Sequence, residues 1–160
     1  MTLCDRPAYM ATLQASAERT VGAPADEVYQ YIADHREHHP HFLPPAFSDF
    51  EVVSGGVGAG TVTRFKVTAG GRTREYNMTV AEPEPGRVMT ETDSGSTLVT
   101  TWTVTPQGDS ASTVRISTSW QGAGGVGGFF ERLFAPSAAG RIYADELQRL
   151  DAYARERQAA

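Results

Sequence analysis

Apolar side chains recur at helical spacing through the last part of the chain. Phe130, Leu133, Phe134, Ala138, Ile142, Leu147, Leu150 and Ala154 form one stripe and predict a long helix over 126–158 with a single buried face. Pro136 lies ten residues inside that helix and predicts a kink or split, with Gly140 as a second weak point. Near the start the period changes to two. Over residues 11–21, Leu13, Ala15, Ala17, Arg19 and Val21 alternate with Thr12, Gln14, Ser16, Glu18 and Thr20, the pattern of a strand with one small apolar face. Arg19 interrupts that face and either snorkels out at the strand end or presents a guanidinium inside. Gly22 and Ala23 then lead into a second helix. Pro24 suits its first position, Asp26 and Glu27 complement its positive end, and Val28, Tyr31 and Ile32 face the core. It fades at Asp34, and Pro40, Pro44 and Pro45 block its continuation.

Between these helical patterns the chain reads as a meander of strands near 47–54, 61–69, 72–82, 87–93, 97–105 and 112–121. They are separated by Gly55-Gly56, Gly70-Gly71, Glu84-Pro85-Gly86, Ser94-Gly95 and Gln107-Gly108-Asp109. Parity assigns their faces: Phe65 and Val67 fall together, as do Tyr76, Met78 and Val80, then Leu98, Thr100, Trp102 and Val104, and finally Val114, Ile116, Thr118 and Trp120. Arg64, Lys66, Glu75, Asn77, Arg115, Ser117 and Ser119 lie opposite, so one face is wet and the other is available to the long helix. The strand at 87–93 is ambiguous, because Val88 and Met89 have opposite parity and leave the direction of Glu91 open. The expected fold is α+β in β-α-β6-α order: a seven-stranded antiparallel sheet wrapped around the C-terminal helix. It forms one domain over 11–158 behind a loose tail, 1–10.

Composition narrows the functional classes. The formal charge of −5 mixes both signs along the chain with no basic cluster, which argues against a nucleic-acid partner. One lysine against thirteen arginines, with many alanines and glycines, reads as a GC-rich bacterial coding bias. Cys4 is the sole cysteine, so neither a disulfide framework nor a cysteine metal motif is available. No apolar run has signal-peptide or membrane-span length, which predicts a cytoplasmic protein.

Two local features invite chemistry. All four histidines, His35, His38, His39 and His41, sit in one short stretch, and histidines three or four apart on a helix can share a metal ion. No cysteine or acidic motif of recognised spacing accompanies them, so they read as a solvated helix end and loop with no metal and no cofactor. Gly124, Gly125, Gly127 and Gly128 open the long helix but lack the lysine and hydroxyl residue of a P-loop, and read as a flexible entry to it.

The order of these signals is similar to that of the SRPBCC superfamily, the START-like or helix-grip proteins, and within it the polyketide cyclase/dehydratase-like branch. The residues carrying the resemblance are the first strand, the Ala23-Pro24 helix opening, the helix ending at Ala33-Asp34, the meander with Pro83-Glu84-Pro85, and the terminal Glu146-Leu147-Gln148-Arg149-Leu150. It spans about Thr12 to Arg157. The resemblance implies a cavity between sheet and C-terminal helix, lined by Tyr31, Phe65, Tyr76, Met78, Thr100, Trp102, Ile116, Thr118, Trp120, Phe130 and Phe134. The opposing possibility is that these side chains simply fill the core. The function implied first is binding of a hydrophobic small molecule (a lipid, an isoprenoid, or an aromatic or polyketide-type metabolite) by a monomer or homodimer. A polyketide aromatase/cyclase or dehydratase is the alternative, in which Arg19 would clamp charge, Glu91 act as base and Tyr76 donate a hydrogen bond. A co-chaperone-like interaction module is the third.

Overall fold

The computed structural model describes residues 12–122 and 125–160, with the side chains of 125–135 left out. The elements follow the expected order: β1 (Thr12–Val21), α1 (Ala25–Ala33), a short 3-10 turn (His39–Phe42), β2 (Phe47–Ser54), β3 (Val62–Ala69), β4 (Arg72–Glu84), β5 (Val88–Asp93), β6 (Val99–Gln107), β7 (Ala111–Gln121) and α2 (Gly125–Ala159). The seven strands form one antiparallel sheet in the order β1-β7-β6-β5-β4-β3-β2. Each neighbour in the meander is joined by a short turn. β1 closes the opposite edge by pairing with β7, from Thr12 opposite Gln121 to Val21 opposite Ser112. β2 carries a register break between Ser48 and Glu51, where Asp49 adopts a left-handed φ of 53°.

α2 packs along β1 and over the turn after α1, and α1 crosses β6 and β7. The core between them holds Val21, Val28, Ile32, Phe42, Val80, Met89, Trp102, Val104, Val114, Ile116, Leu147 and Leu150, all fully buried or nearly so. Each such side chain contributes roughly 1.5–3 kcal/mol by leaving water. The stripe expected on α2 is met at Leu147, Leu150 and Ala154, while Phe130, Leu133 and Phe134 lie outside the described side chains, as the N-terminal tail and Gly124 lie outside the described residues. Of the kink or split expected at Pro136, the split does not occur: α2 runs as one helix through it. A proline removes one hydrogen bond of the ladder, and the helix on both sides continues past that loss.

The parity of β5 is settled by its neighbours. Glu91 pairs with Val80 on one side and Thr100 on the other, both inward, so Met89, Glu91 and Asp93 form its buried face. On the outer face Arg64 pairs with Glu51 at 2.7 Å and Lys66 with Asp49 at 3.1 Å, both among exposed side chains.

Candidate functional site

Asp34 turns the chain after α1. Its side-chain Oδ1 accepts from the main-chain N–H of Arg36 at 3.0 Å and Glu37 at 2.9 Å, and its carbonyl accepts from His38 and His39. This single tight turn divides the four histidines between two sides. His38 and His41 meet Tyr153 of α2 near the surface: His38 Nδ1 lies 2.8 Å from its hydroxyl, and the His41 ring stacks on it. His35 and His39 turn inward, stack with centroids 4.7 Å apart at 12°, and are 1% and 3% exposed. The expectation of a solvated loop fails for these two. Positions four apart share one face of a turn, and here that face also carries Phe42 into the core.

Partners for the buried imidazoles come from distant parts of the chain. His35 Nε2 lies 3.4 Å from Glu91 Oε1 on β5, and the other oxygen of Glu91 accepts the Trp102 indole N–H at 2.9 Å. His39 Nε2 lies 3.6 Å from Glu146 Oε1 on α2. Glu91 and Glu146 are both buried. Burial alone would raise the Glu91 carboxyl, but the His35 hydrogen bond, the two histidines and the Trp102 donor outweigh it and hold the group below the usual carboxylate range. Burial raises Glu146, which His39 only partly offsets and which the charge of Glu91 reinforces. Burial would lower His39, yet Glu146 and Glu91 overcome that and raise it. One donor atom from each of His35, His39 and Glu91 falls within 4.8 Å of the others, a spacing that can hold a metal ion. The third ligand that local sequence spacing did not supply arrives from β5.

Beside this cluster lies a row of hydroxyls. Thr100 and Thr118 share a 2.7 Å hydrogen bond across β6 and β7, and Thr118 shares another of 2.6 Å with Tyr143 of α2. Burial is the main reason the Tyr143 phenol is pushed up to about 12, so it remains a neutral donor. Farther along the inner face, Phe47, Phe50, Phe65 and Tyr76 form a continuous wall with centroid separations of 5.3, 6.1 and 5.8 Å. These four are half-buried, unlike the sealed side chains around Trp102.

The expected lining is thereby divided. Met78, Thr100, Trp102, Ile116, Thr118 and Trp120 lie buried on the inner face, and Phe65 and Tyr76 stand on the half-buried wall. Tyr31 does not join them: it packs at the α1–α2 junction against His38 and Tyr153, with the Arg157 guanidinium over its ring. Tyr31 shares the core cluster of Val28 and Ile32 and closes its edge beneath the tail of α2. Phe130 and Phe134 lie outside the described side chains. Arg19 is also excluded from the interior. Its guanidinium reaches sideways to Asp151 of α2 at 3.2 Å and is 43% exposed. Glu91 points inward but is held by Trp102 and His35, and a lowered carboxylate makes a weak base. Sequence reasoning overlooked Glu146, Tyr143, Phe47 and Phe50. The i, i+3 spacing of Tyr143 and Glu146 on α2 was the available signal for the first two.

A long C-terminal helix gripped by an antiparallel sheet defines the helix-grip, START-like class. The chain belongs to the family described as polyketide cyclase / dehydrase and lipid transport, whose profile matches residues 12–155. Among solved structures it is similar to the KanY protein, at 35% identity over 91% of this chain and 99% of that one, with a TM-score of 0.80. The fold is shared by the Zhui aromatase/cyclase of a Streptomyces species, at 18% identity, 92% and 96% coverage and a TM-score of 0.75. It is shared too by a START superfamily protein of Mycobacterium smegmatis, at 13% identity, 89% and 97% coverage and a TM-score of 0.70. None of the curated proteins matches the chain significantly. The family supports binding of a hydrophobic small molecule. Among the described residues no helix is long and apolar enough to cross a membrane.

Proposed function

We propose that the protein holds a hydrophobic small molecule, of the lipid, isoprenoid or aromatic polyketide kind, between the inner face of the sheet and α2. The observation that carries this reading is the wall of Phe47, Phe50, Phe65 and Tyr76. These aromatics face inward yet keep part of their surface accessible, whereas the same face around Trp102 and Ile116 is closed. An apolar wall with a few hydroxyls at one end suits a ligand with a hydrocarbon body and a polar terminus. A docking surface for a protein partner has less support, because Val53 and Val57 are the large exposed apolar side chains among the described residues.

An aromatase/cyclase or dehydratase is the second reading. It is favoured by Tyr143, whose phenol stays neutral and sits beside the hydroxyls of Thr118 and Thr100, where it can donate to a developing enolate oxygen. The Zhui aromatase/cyclase shares the fold.

Titration with hydrophobic fluorophores and aromatic polyketides tests the binding reading. Trp102 and Trp120 lie on the inner face of neighbouring strands, so saturable quenching of their emission is expected. Thr118→Trp should abolish that quenching at a cost of about 1–3 kcal/mol from overpacking, plus about 0.5–1.5 kcal/mol for each of the hydroxyl bonds it loses to Thr100 and Tyr143. A wild type that binds no member of a broad apolar library, with a Thr118→Trp variant that unfolds, would show a filled core and overturn the proposal.

A further inference from the structure

The buried histidines raise a problem of protons. Each imidazole points Nδ1 at a main-chain carbonyl, His35 at Ala33 at 3.0 Å and His39 at Ile32 at 2.8 Å. A carbonyl only accepts, so both Nδ1 atoms carry hydrogen and, in a neutral ring, Nε2 is left as a bare lone pair. Both Nε2 atoms face carboxylate oxygens, Glu91 at 3.4 Å and Glu146 at 3.6 Å. A lone pair and a carboxylate repel unless a proton or a metal ion lies between them. Protonating both rings would stack two cations 4.7 Å apart in a water-excluded interior. One divalent cation between His35, His39 and Glu91 would satisfy both lone pairs while both rings stay neutral.

We propose that His35, His39 and Glu91 form a binding site for a single divalent transition metal of the zinc type, buried between the turn after α1 and β5, with Glu146 of α2 beside His39 at 3.6 Å. Two imidazole nitrogens and one carboxylate oxygen are a zinc donor set with a fourth position open, and bonds of about 2.0–2.1 Å in a tetrahedron place donors roughly 3.3–3.4 Å apart. The 3.4 Å separation of His35 and Glu91 is close to that edge, and the 4.8 Å span of the His35, His39 and Glu91 donors closes with a small side-chain rotation. The supporting contacts that orient metal ligands are also in place. Both Nδ1–H groups donate to carbonyls, and the Trp102 indole holds the second oxygen of Glu91 at 2.9 Å. The rings of Phe42, Phe50 and Trp102 surround His39 and shield the site from water. This site stands apart from the hydrophobic-ligand reading, and its test uses no organic ligand.

Tag-free protein stripped with a chelator is titrated with Co²⁺ and followed by visible absorption, then by displacement with Zn²⁺. One equivalent of Co²⁺ with the intense bands of four-coordinate cobalt is expected, displaced by Zn²⁺ and accompanied by a rise in Tm. His39→Gln should abolish this uptake and His41→Gln should leave it intact. Trp102→Phe, which removes the donor to Glu91 and part of the ring packed on His39, should weaken it about 10- to 100-fold. Far-UV circular dichroism checks folding of each variant, and the wild-type titration decides even where a variant fails to fold. A stripped wild type that takes up neither ion saturably, or uptake that survives His39→Gln and is lost in His41→Gln, would overturn the proposal.

Discussion

Asp151 fastens α2 to the end of β1, and its replacement by asparagine isolates what that fastening is worth. One carboxylate oxygen accepts the Gly22 main-chain N–H at 2.9 Å and the Arg155 Nε–H at 2.8 Å, and the other accepts from Arg19 at 3.2 and 3.3 Å. The carboxylate is only 8% exposed, whereas the Arg19 and Arg155 side chains are 43% and 62% exposed. Solvent screening therefore reduces each ion pair to about 0–1 kcal/mol. The bond from Gly22 to a buried charge is worth about 1.5–3 kcal/mol. Asparagine keeps the shape and one acceptor but turns an N–H toward the arginine, so Asp151→Asn should cost about 2–3 kcal/mol at neutral pH. Burial would raise the Asp151 carboxyl, but the Gly22 N–H, Arg155 and Arg19 together lower it. A carboxyl lowered by folding stabilises the protein fully above its unfolded value of about 3.9 and loses that effect as pH falls through the folded value. Urea denaturation of both proteins should show a constant difference from pH 8 to 5 that shrinks below about pH 4. A difference that persists unchanged to pH 2, or one below about 0.5 kcal/mol at pH 7, would refute this account.

Tyr143→Phe should cost about 0.5–1.5 kcal/mol by removing the hydroxyl bonded to Thr118, measured by chemical denaturation. Because the wild-type phenol is raised to about 12, its share of stability is present below about pH 10 and fades between there and 12. The variant should lose less over that alkaline interval. Gly58→Ala should destabilise by about 1–2 kcal/mol, since Gly58 has a φ of 66° that costs this much for any residue with a Cβ. The added carbon would also stand 2.6 Å from Glu82 Oε2, the acceptor that holds Ala59 N–H. Thermal unfolding reads both effects.

The fold was legible because each element carried its own period. Leu13 and Ala15 against Gln14 and Ser16, or Ile116 and Thr118 against Arg115 and Ser117, place a strand and its faces without reference to any other segment. The site was less legible because it is assembled across long separations. His35 and Glu91 lie in different elements, and Glu146 is one of several charges on a helix whose polar side is mostly wet. Periodicity treats a histidine or glutamate as a solvent-facing mark, so it hid the two histidines that turn inward. It left Arg19 open between the interior and the strand end, and Asp151 is what draws the side chain sideways and out. Phe50 escaped because the bulge at Asp49 shifts the parity of β2 midway.

The position of β1 has a consequence for how the chain is made. Consecutive strands β1 and β2 stand at opposite edges of the sheet, while every other strand pairs with its immediate neighbour in sequence. The hairpins from β2 to β7 close over short loops and can form as they leave the ribosome. β1 waits for β7, since Val21 pairs with Ser112 and about 90 residues separate them. At about 5–20 residues per second that wait lasts roughly 5–20 s, during which an alternating strand with an unpaired backbone is exposed to other nascent chains. Non-local closure of this kind also slows refolding relative to the meander. Pulse-labelled hydrogen exchange should therefore protect the amides of β3 to β6 before those of β1, and a chain truncated before Ala111 should leave β1 unprotected altogether.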